Sequence, residues 1–222
     1  MQKETWTEKL GRIISTCGNA ILMNLLFLAA CLPVVTIGQA WCALLGAIRY
    51  NIRGDKWIDG FKAGYKTRFI RGTIFWIIGL LVGWYMLADF NYALIQRAIA
   101  PMVAAGIMFA FAAMVTLSAL LLNVYIPTDV SNWIKNTLNL IFKAPIQMLV
   151  SAALFCAPIV VLLVIPHGLL YIYELAMVLI CAYYTLAALG TTMVMKNALL
   201  STLVQARQDG ILTAEEGKNA DN

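Results

Sequence analysis

The chain has 222 residues, of which 62% are hydrophobic and only 12% are charged, and its mean hydropathy is +0.80. Soluble domains average about 45–50% apolar and about 25% charged residues. The composition therefore excludes a secreted enzyme, a nucleic-acid-binding domain and a disulfide scaffold, and it predicts an integral membrane protein. The net charge of +5 fits the anionic lipid of a cytoplasmic membrane surface.

Five long stretches contain no Lys, Arg, Asp or Glu, and each approaches or exceeds the roughly 20 residues that cross hydrocarbon. Proline and glycine mark where helices should begin and end within them. The pattern predicts an all-α polytopic bundle of about six membrane segments, with five as an alternative. The segments are expected at about residues 13–32, 35–50, 72–93, 101–126, 145–165 and 168–195.

Two basic amphipathic segments, residues 56–71 and 129–143, separate these stretches. Apolar residues recur in both at helical spacing, and Lys and Arg occupy the other side. Such helices lie in the membrane interface. Five tryptophans also fall near predicted interfaces, where an indole can anchor a helix: Trp6, Trp41, Trp57, Trp84 and Trp133.

The predicted organisation is a single membrane domain. It consists of a cytoplasmic segment, a first hairpin, two units that each join an interface helix to a hairpin, and a cytoplasmic tail. Their bounds are residues 1–12, 13–50, 56–126, 129–195 and 196–222. The two units read either as parallel repeats or as the ordinary alternation of loops and hairpins in a polytopic protein.

Charge predicts the orientation. Residues 49–71 contain seven Lys or Arg against two Asp, whereas the loop at residues 89–97 has one basic residue. Basic loops stay in the cytoplasm, so both termini are expected there if residues 13–50 cross twice. Residues 35–50 are short for a full span, so a re-entrant half-helix and an outside N-terminus remain open alternatives.

The N-terminal third carries a recognisable pattern. Asn-Leu-Leu at 24–26, Leu-Pro-Val-Val-Thr-Ile-Gly at 32–38 and Arg-Gly-Asp at 53–55 resemble the YesL family of bacterial membrane proteins, a domain of unknown function numbered 624. The resemblance covers residues 24–73. The matching motif residues are Asn24, Pro33, Thr36, Gly38, Arg53, Gly54 and Phe69. Two positions depart from the family pattern, because Gln39 stands for a proline and Arg68 for an asparagine.

The resemblance implies a small polytopic protein of a Gram-positive plasma membrane. Relatives are often encoded beside carbohydrate ABC importers and glycan-degrading enzymes, so the resemblance implies an accessory role in sugar uptake or its control. ABC importer permease subunits are the partners it points to. No chemistry comes with the family.

Residues 32–38 should break the helix, because Pro33 lacks an N–H donor and Gly38 permits unusual backbone shapes. Thr36 and Gln39 are available to satisfy the freed backbone groups. The break is interpreted either as a turn at the outer surface or as a feature that faces a substrate or partner.

One small set of ionisable residues accompanies the apolar sequence. His167, Tyr171 and Glu174 share a helix face, and Asp89 and Arg97 are expected on the same side of the membrane. The set is interpreted as an outward-facing polar ligand site or a pH-responsive His/Glu pair. Alternatively, Glu174 pairs with Arg97 or hydrogen-bonds to Tyr171 and only joins two hairpins.

No spacing typical of a catalytic or metal site occurs, and the five cysteines lie in apolar stretches. No enzyme activity and no cofactor are expected. The interior should hold neutral polar residues such as Asn24, Ser118, Asn123, Ser151 and Thr185. The predicted function is an accessory or scaffolding partner of a carbohydrate transport system in the plasma membrane; a small permease and a membrane-bound signal relay are the alternatives.

Overall fold

The computed structural model describes the backbone of residues 6–126, 129–164 and 170–208. Within these ranges it describes every side chain except those of residues 6–17, 157–182, 203 and 205–208. Within these ranges the regular structure is helical and no strand occurs, which confirms the all-α class. The helices are α1 Trp6–Ala30, α2 Ile37–Arg53, α3 Trp57–Lys66, α4 Phe69–Ile95, α5 Ile99–Tyr125, α6 Val130–Lys143, α7 Pro145–Val164 and α8 Leu170–Gln208. A short 3-10 turn, Val34–Thr36, joins α1 to α2.

The sequence predicted one helix at residues 56–71. This prediction is wrong in one respect, because the structure divides the segment into α3 and the first turn of α4. Thr67 has an extended backbone (φ −62°, ψ 111°) and Arg68 is left-handed (φ 47°, ψ 46°). These two conformations end one helix and turn the chain into the next. Phe69 and Arg71 therefore belong to α4.

Two helices among the described residues, α4 and α5, are long and apolar enough to cross a membrane. A third crossing results if α6 and α7, which bend by 101° at their junction, are counted as one broken span. This number is smaller than the six segments predicted from sequence. The bend sets the amphipathic α6 nearly at right angles to α7.

α2 forms the centre of the described bundle. All eleven residues from Gly38 to Ile48 are buried, and α2 packs against α1, α3, α4, α5 and α8. A helix that is apolar all round is expected where protein or lipid surrounds it on every side. The sequence predicted a membrane segment here, but the structure surrounds this segment with other helices.

Small residues bring α2 and α3 into close contact. A Cβ added to Gly64 would lie 2.6 Å from the carbonyl oxygen of Cys42, and one added to Gly46 would lie 2.6 Å from that of Gly60. Glycines one turn apart let two helix backbones approach closely. The Gly60-x-x-x-Gly64 spacing in α3 was missed in the sequence because the segment was read as a surface helix.

Two of the predicted interface tryptophans belong to the core. Trp41 is fully buried and Trp133 is 1% exposed, so the anchoring prediction is wrong for both. Trp41 packs edge-on against Phe155, with ring centroids 4.8 Å apart, and Trp133 against Phe75, at 4.3 Å. Trp84 is 77% exposed, as an anchor would be.

Both long helices contain a pair of small residues one turn apart, Gly79 with Gly83 in α4 and Gly106 with Ala110 in α5, and the two pairs differ in their contacts. Gly79 packs closely against Thr116 across the α4–α5 hairpin, and Gly83 lies against Phe109. Nothing in the described structure comes within 4 Å of a Cβ added to Gly106. The first pair therefore joins α4 to α5, and Gly106 faces open space.

Replacing Gly64 by alanine should destabilise the protein by about 1–3 kcal/mol, the usual cost of overpacking. The added methyl meets the backbone of Cys42 and Ala43, which cannot rotate away. Gly106→Ala is the matched control and should be neutral or stabilising, since alanine favours a helix by about 1 kcal/mol. Denaturation in mild detergent compares the two variants. Equal stability would contradict close packing of α2 on α3.

Candidate functional site

The ionisable residues predicted to form an outer cluster are described only in part. Asp89 is an exposed residue of α4, and Arg97 is exposed in the turn to α5 with a left-handed backbone (φ 53°). His167 lies outside the described residues. Tyr171 and Glu174 belong to α8, but their side chains also lie outside the described part. Their convergence on one site stays a prediction.

The break between α1 and α2 satisfies its own backbone groups. The Thr36 hydroxyl lies 2.7 Å from the carbonyl oxygen of Ala30 and 2.8 Å from that of Pro33, within donating distance of both. The Trp76 indole N–H donates to the carbonyl of Val34 at 2.9 Å. The role predicted for Thr36 is confirmed, and the hydrogen bond from Trp76 links the break to α4.

Gln39 has a different role from the one predicted. The two N–H groups of its buried side-chain amide are shared among the carbonyls of Gly64, Tyr65 and Thr67, at 2.9, 2.6 and 3.0 Å. The last carbonyls of a helix have no partner within it. Since α3 folds back along α2, its C-terminal end lies beside Gln39 rather than beside the break, and Gln39 caps that end.

A glycine and an asparagine complete the surroundings of Gln39. A Cβ on Gly72 would collide with Gln39 Oε1, so only glycine leaves room for the amide. Asn123 Nδ2 lies 3.3 Å from the same Cβ position and donates weakly to Cys42 Sγ at 3.9 Å. Gln39 Oε1 and Asn123 Oδ1 are buried without a hydrogen-bond partner in the described part of the chain. Polar atoms of Gln39 and Asn123 therefore lie beside Gly72, where α2, α4 and α5 meet inside an apolar core.

A second buried asparagine links α1 to α8. Asn24 Oδ1 accepts a hydrogen bond from the backbone N–H of Thr185 at 3.2 Å, and the Thr185 hydroxyl donates to Ala20 at 3.0 Å. Both residues are almost completely buried. Two bonds between neighbouring turns fix the register of the two helices.

Three arginines gather where α5 ends and α6 begins. Arg49 and Arg68 donate to the carbonyls of Val124 and Ile126 at 3.3 and 3.4 Å. Arg49 also lies over the ring of Tyr125, at 5.4 Å from its centroid. Arg71 lies over the ring of Trp133 on α6, at 5.5 Å. Cations at a helix C-terminus are favourable, because the exposed carbonyls carry a partial negative charge.

Arg68 holds a backbone conformation that most residues avoid. The left-handed region costs an ordinary residue roughly 1–2 kcal/mol, and Gly and Asn enter it most readily. This geometry gives a physical reason for an asparagine in the family pattern at the position of Arg68. The arginine retains the turn and adds the bond to Ile126.

The other motif residues occupy structural positions. Gly38 faces Trp76 so closely that an added Cβ would lie 2.5 Å from the Trp76 Cβ. Gly54 ends α2 in the left-handed conformation (φ 84°), next to the partly exposed Arg53. Phe69 begins α4 with its ring 5.5 Å from that of Tyr65. These motif residues thus build turns and contacts around α2.

Two cavities adjoin α4. One, of about 540 Å³, lies at its basic end and is lined by Arg68, Phe69, Ile70, Arg71, Ile74, Phe75 and Val130. The other, of about 200 Å³, lies between α4, α5 and α7 and has almost wholly apolar walls, including Gly83, Phe109 and Phe155. The lining surface of the first is also almost wholly apolar, although two of its lining residues are arginines.

Comparison with known families bears on this arrangement. Residues 20–90 match the family described as "Protein of unknown function, DUF624", which confirms the resemblance seen in the sequence. The match begins in α1 and ends in α4, so it covers the α1–α2 break, Gln39 and the Arg68 turn. Searches of curated proteins and of solved structures gave no match.

Gln39→Met should destabilise the protein by about 1–3 kcal/mol, because methionine keeps the side-chain length but leaves three buried or half-buried carbonyls without their donor. Gln147, an exposed residue of α7, provides the control Gln147→Met, which should change stability little. Thermal unfolding in detergent measures both. A Gln39 variant as stable as the control would refute the capping role.

Proposed function

Since residues 20–90 belong to the DUF624 family, we propose that the chain is an integral plasma-membrane protein that serves as an accessory or scaffolding partner of a carbohydrate transport system. The genomic neighbourhood implied by the YesL resemblance supports the choice of transport system. The packing of the interior supports a scaffold over a carrier.

That packing is the observation on which the proposal depends. The polar residues expected in the interior, Asn24, Ser118, Asn123, Ser151 and Thr185, are each at most 5% exposed. Two of them donate to backbone carbonyls: Ser118 to Val115 in its own helix, and Thr185 to Ala20 on α1. The buried α2 fills the space between its neighbours. A permease needs a water-reachable polar path through this region, whereas the cavity described between α4, α5 and α7 has almost wholly apolar walls.

The alternatives remain a small permease and a membrane-bound signal relay. A relay would use the cytoplasmic tail, and α8 extends to Gln208, well beyond the apolar sequence that ends at Met195. No observation in the described residues favours either alternative over the scaffold.

We also propose a topology in which six helical segments enter the bilayer but only four cross it. α4, α5, α7 and α8 cross, whereas α1 and α2 form a hairpin that enters from the cytoplasmic side and returns. Both termini then lie in the cytoplasm, as the charge distribution predicts. α3 and α6 lie near the cytoplasmic interface.

The depth of the α1–α2 break supports this topology. Trp76, which bonds to Val34 in the break, lies seven residues into α4, or about 10 Å from its basic end at 1.5 Å per residue. The opposite end of α4, Ile95, is nineteen residues beyond Trp76, or about 28 Å away. The break therefore lies far from the outer end of the bundle.

The course of α2 agrees with that depth. Its Gly38 meets Gly72 and Trp76, its Cys42 bonds to Leu120, and its Arg49 bonds to Val124. These partners occupy the basic ends of α4 and α5. α2 is thus strongly tilted across one end of the α4–α5 hairpin.

Cysteine labelling in intact cells tests this topology. In a chain without native cysteines, Val35→Cys in the break should resist a membrane-impermeant maleimide, although Val35 is half exposed on the protein surface. Arg97→Cys, in the opposite turn, should be labelled and serves as the control. Labelling of both positions from outside would establish that α1 and α2 each cross the membrane.

Transport activity separates a scaffold from a permease. The purified chain in proteoliposomes should give no uptake of glucose or malto-oligosaccharides above protein-free liposomes, because the polar residues in the described part of its interior are buried. In cells, it should co-purify in mild detergent with permease subunits of an ABC sugar importer, and its deletion should reduce that importer's uptake. An unrelated polytopic protein carrying the same affinity tag is the control for co-purification.

Saturable uptake by the purified chain alone would overturn the scaffold in favour of the permease. Importer uptake that is unchanged after deletion would overturn the link to transport.

A further inference from the structure

The cavity between α4, α5 and α7 is a groove with almost wholly apolar walls and a volume of about 200 Å³. Small residues of the two long helices leave room for it: Gly79, Gly83, Ala112, Ala113 and Thr116. On α7 it is lined by Ala152, Phe155 and Cys156. Such walls suit a hydrocarbon, because a polar group would lose its hydrogen-bonding partners there.

One end of the groove is closed by two aromatic rings. Trp76 on α4 and Phe155 on α7 both line it, and their rings lie edge to face with centroids 6.1 Å apart. The hydrogen bond from the Trp76 indole to Val34 fixes that ring. An occupant of the groove therefore ends at this pair of rings.

Toward its other end the groove opens on the exposed surface of α4. Leu80, Trp84 and Leu87 line it and are 39%, 77% and 39% exposed. Because α4 is long and apolar enough to cross a membrane, this surface is the one that lipid covers. The groove is continuous with it.

The length of the groove matches one acyl chain. Along α4 it extends from Trp76 to Leu87, eleven residues or about 16 Å at 1.5 Å per residue. The hydrocarbon core of a bilayer is about 30 Å thick, so one leaflet is about 15 Å deep. A single chain that runs parallel to α4 spans the same distance.

Other occupants fit less well. A helix with its side chains is about 10–12 Å wide, whereas about 200 Å³ spread over this length leaves a much narrower channel. Water is a poor occupant, because an apolar cavity of similar size stays dry. An empty groove would forfeit the dispersion contacts of its lining side chains. The acyl chains around α4 are the nearest groups that can restore those contacts.

We propose that this groove holds one acyl chain of a membrane lipid, with the methyl end of the chain at Trp76 and Phe155 and the headgroup beyond Leu87. No charged residue lines the groove in the described part of the chain, so the site selects the acyl chain and not the headgroup. The bound chain contacts α4, α5 and α7 at once and completes the packing of α7 on the α4–α5 hairpin. Such a chain binds whether or not the protein assists a transporter.

Photolabelling in lipid bilayers tests the site. The full chain is reconstituted with a phosphatidylcholine that carries a diazirine at the methyl end of one acyl chain, and mass spectrometry locates the label. Phe155 should be labelled although it is only 9% exposed, because the chain end reaches it inside the groove. Phosphatidylglycerol with the same probe should label it equally.

Met114 is the matched control residue. It is 8% exposed and lies outside the groove. It stands eleven residues, or about 16 Å, from the end of α5, and Phe155 stands ten residues, or about 15 Å, from the start of α7. The two residues are therefore at similar depth, and Met114 should stay unlabelled.

Filling the groove should remove the label from Phe155. Gly83→Leu adds a side chain where an added Cβ has only Phe109 nearby, at 3.7 Å, so the leucine takes the place of the lipid chain. Gly106→Leu makes the same change where nothing lies within 4 Å, and it should keep the label. Ala112→Leu fills the groove from α5 and is the second variant if Gly83→Leu does not fold.

Label at Phe155 no stronger than at Met114 would overturn the proposal and indicate a dry groove or one filled by another protein. Label that persists in both filled variants, or that is lost equally in Gly106→Leu, would also overturn it. Label from phosphatidylglycerol but not from phosphatidylcholine would contradict selection by the acyl chain.

Discussion

The structure depends on the burial of residues Gly38 to Ile48 of α2. Because Gly38 to Ile48 are buried on every side, the surrounding helices must supply both close packing and partners for the polar atoms that α2 brings inside. Gly46, Gly60 and Gly64 supply the packing. The carbonyl oxygens of Gly64 and Tyr65, at the C-terminal end of α3, are partners of the buried Gln39 amide. An isolated amphipathic helix as short as α3 is marginal in water, so its attachment to α2 gives it a defined position.

The same constraint explains the family match. The matched residues 20–90 include α2, α3, the turns at both ends of this pair and the part of α4 that contacts them. Most motif residues act there through shape: Gly38 admits Trp76, Gly54 permits a left-handed helix end, and Thr36 closes the break. A pattern of this kind specifies a folded unit, because its residues build turns and contacts.

Hydropathy predicted the all-α class, the order of the helices and most boundaries to within a few residues, because apolar length and proline position are local properties. It could not predict that α2 lies inside the bundle. A helix buried in protein and a helix buried in lipid have the same apolar sequence. The anchoring prediction was wrong for Trp41 and Trp133 for a related reason: both stand near sequence boundaries, but tertiary packing covers them.

The role of Gln39 depends on α3 folding back along α2, a contact between residues 25 to 28 positions apart. The cavity at Arg68 and Arg71 likewise requires α6 to meet α4, which no local pattern encodes.

Labelling from the lipid phase tests the central claim most directly. A lipid-soluble diazirine, photolysed in membranes that contain the chain and read by mass spectrometry, labels side chains that face hydrocarbon. Burial of α2 predicts no label from Gly38 to Ile48 and strong label on the exposed α4 residues Ile77 and Leu81. Label on α2 that recurs with a helical period would show that it faces lipid as an ordinary span, and would contradict the account.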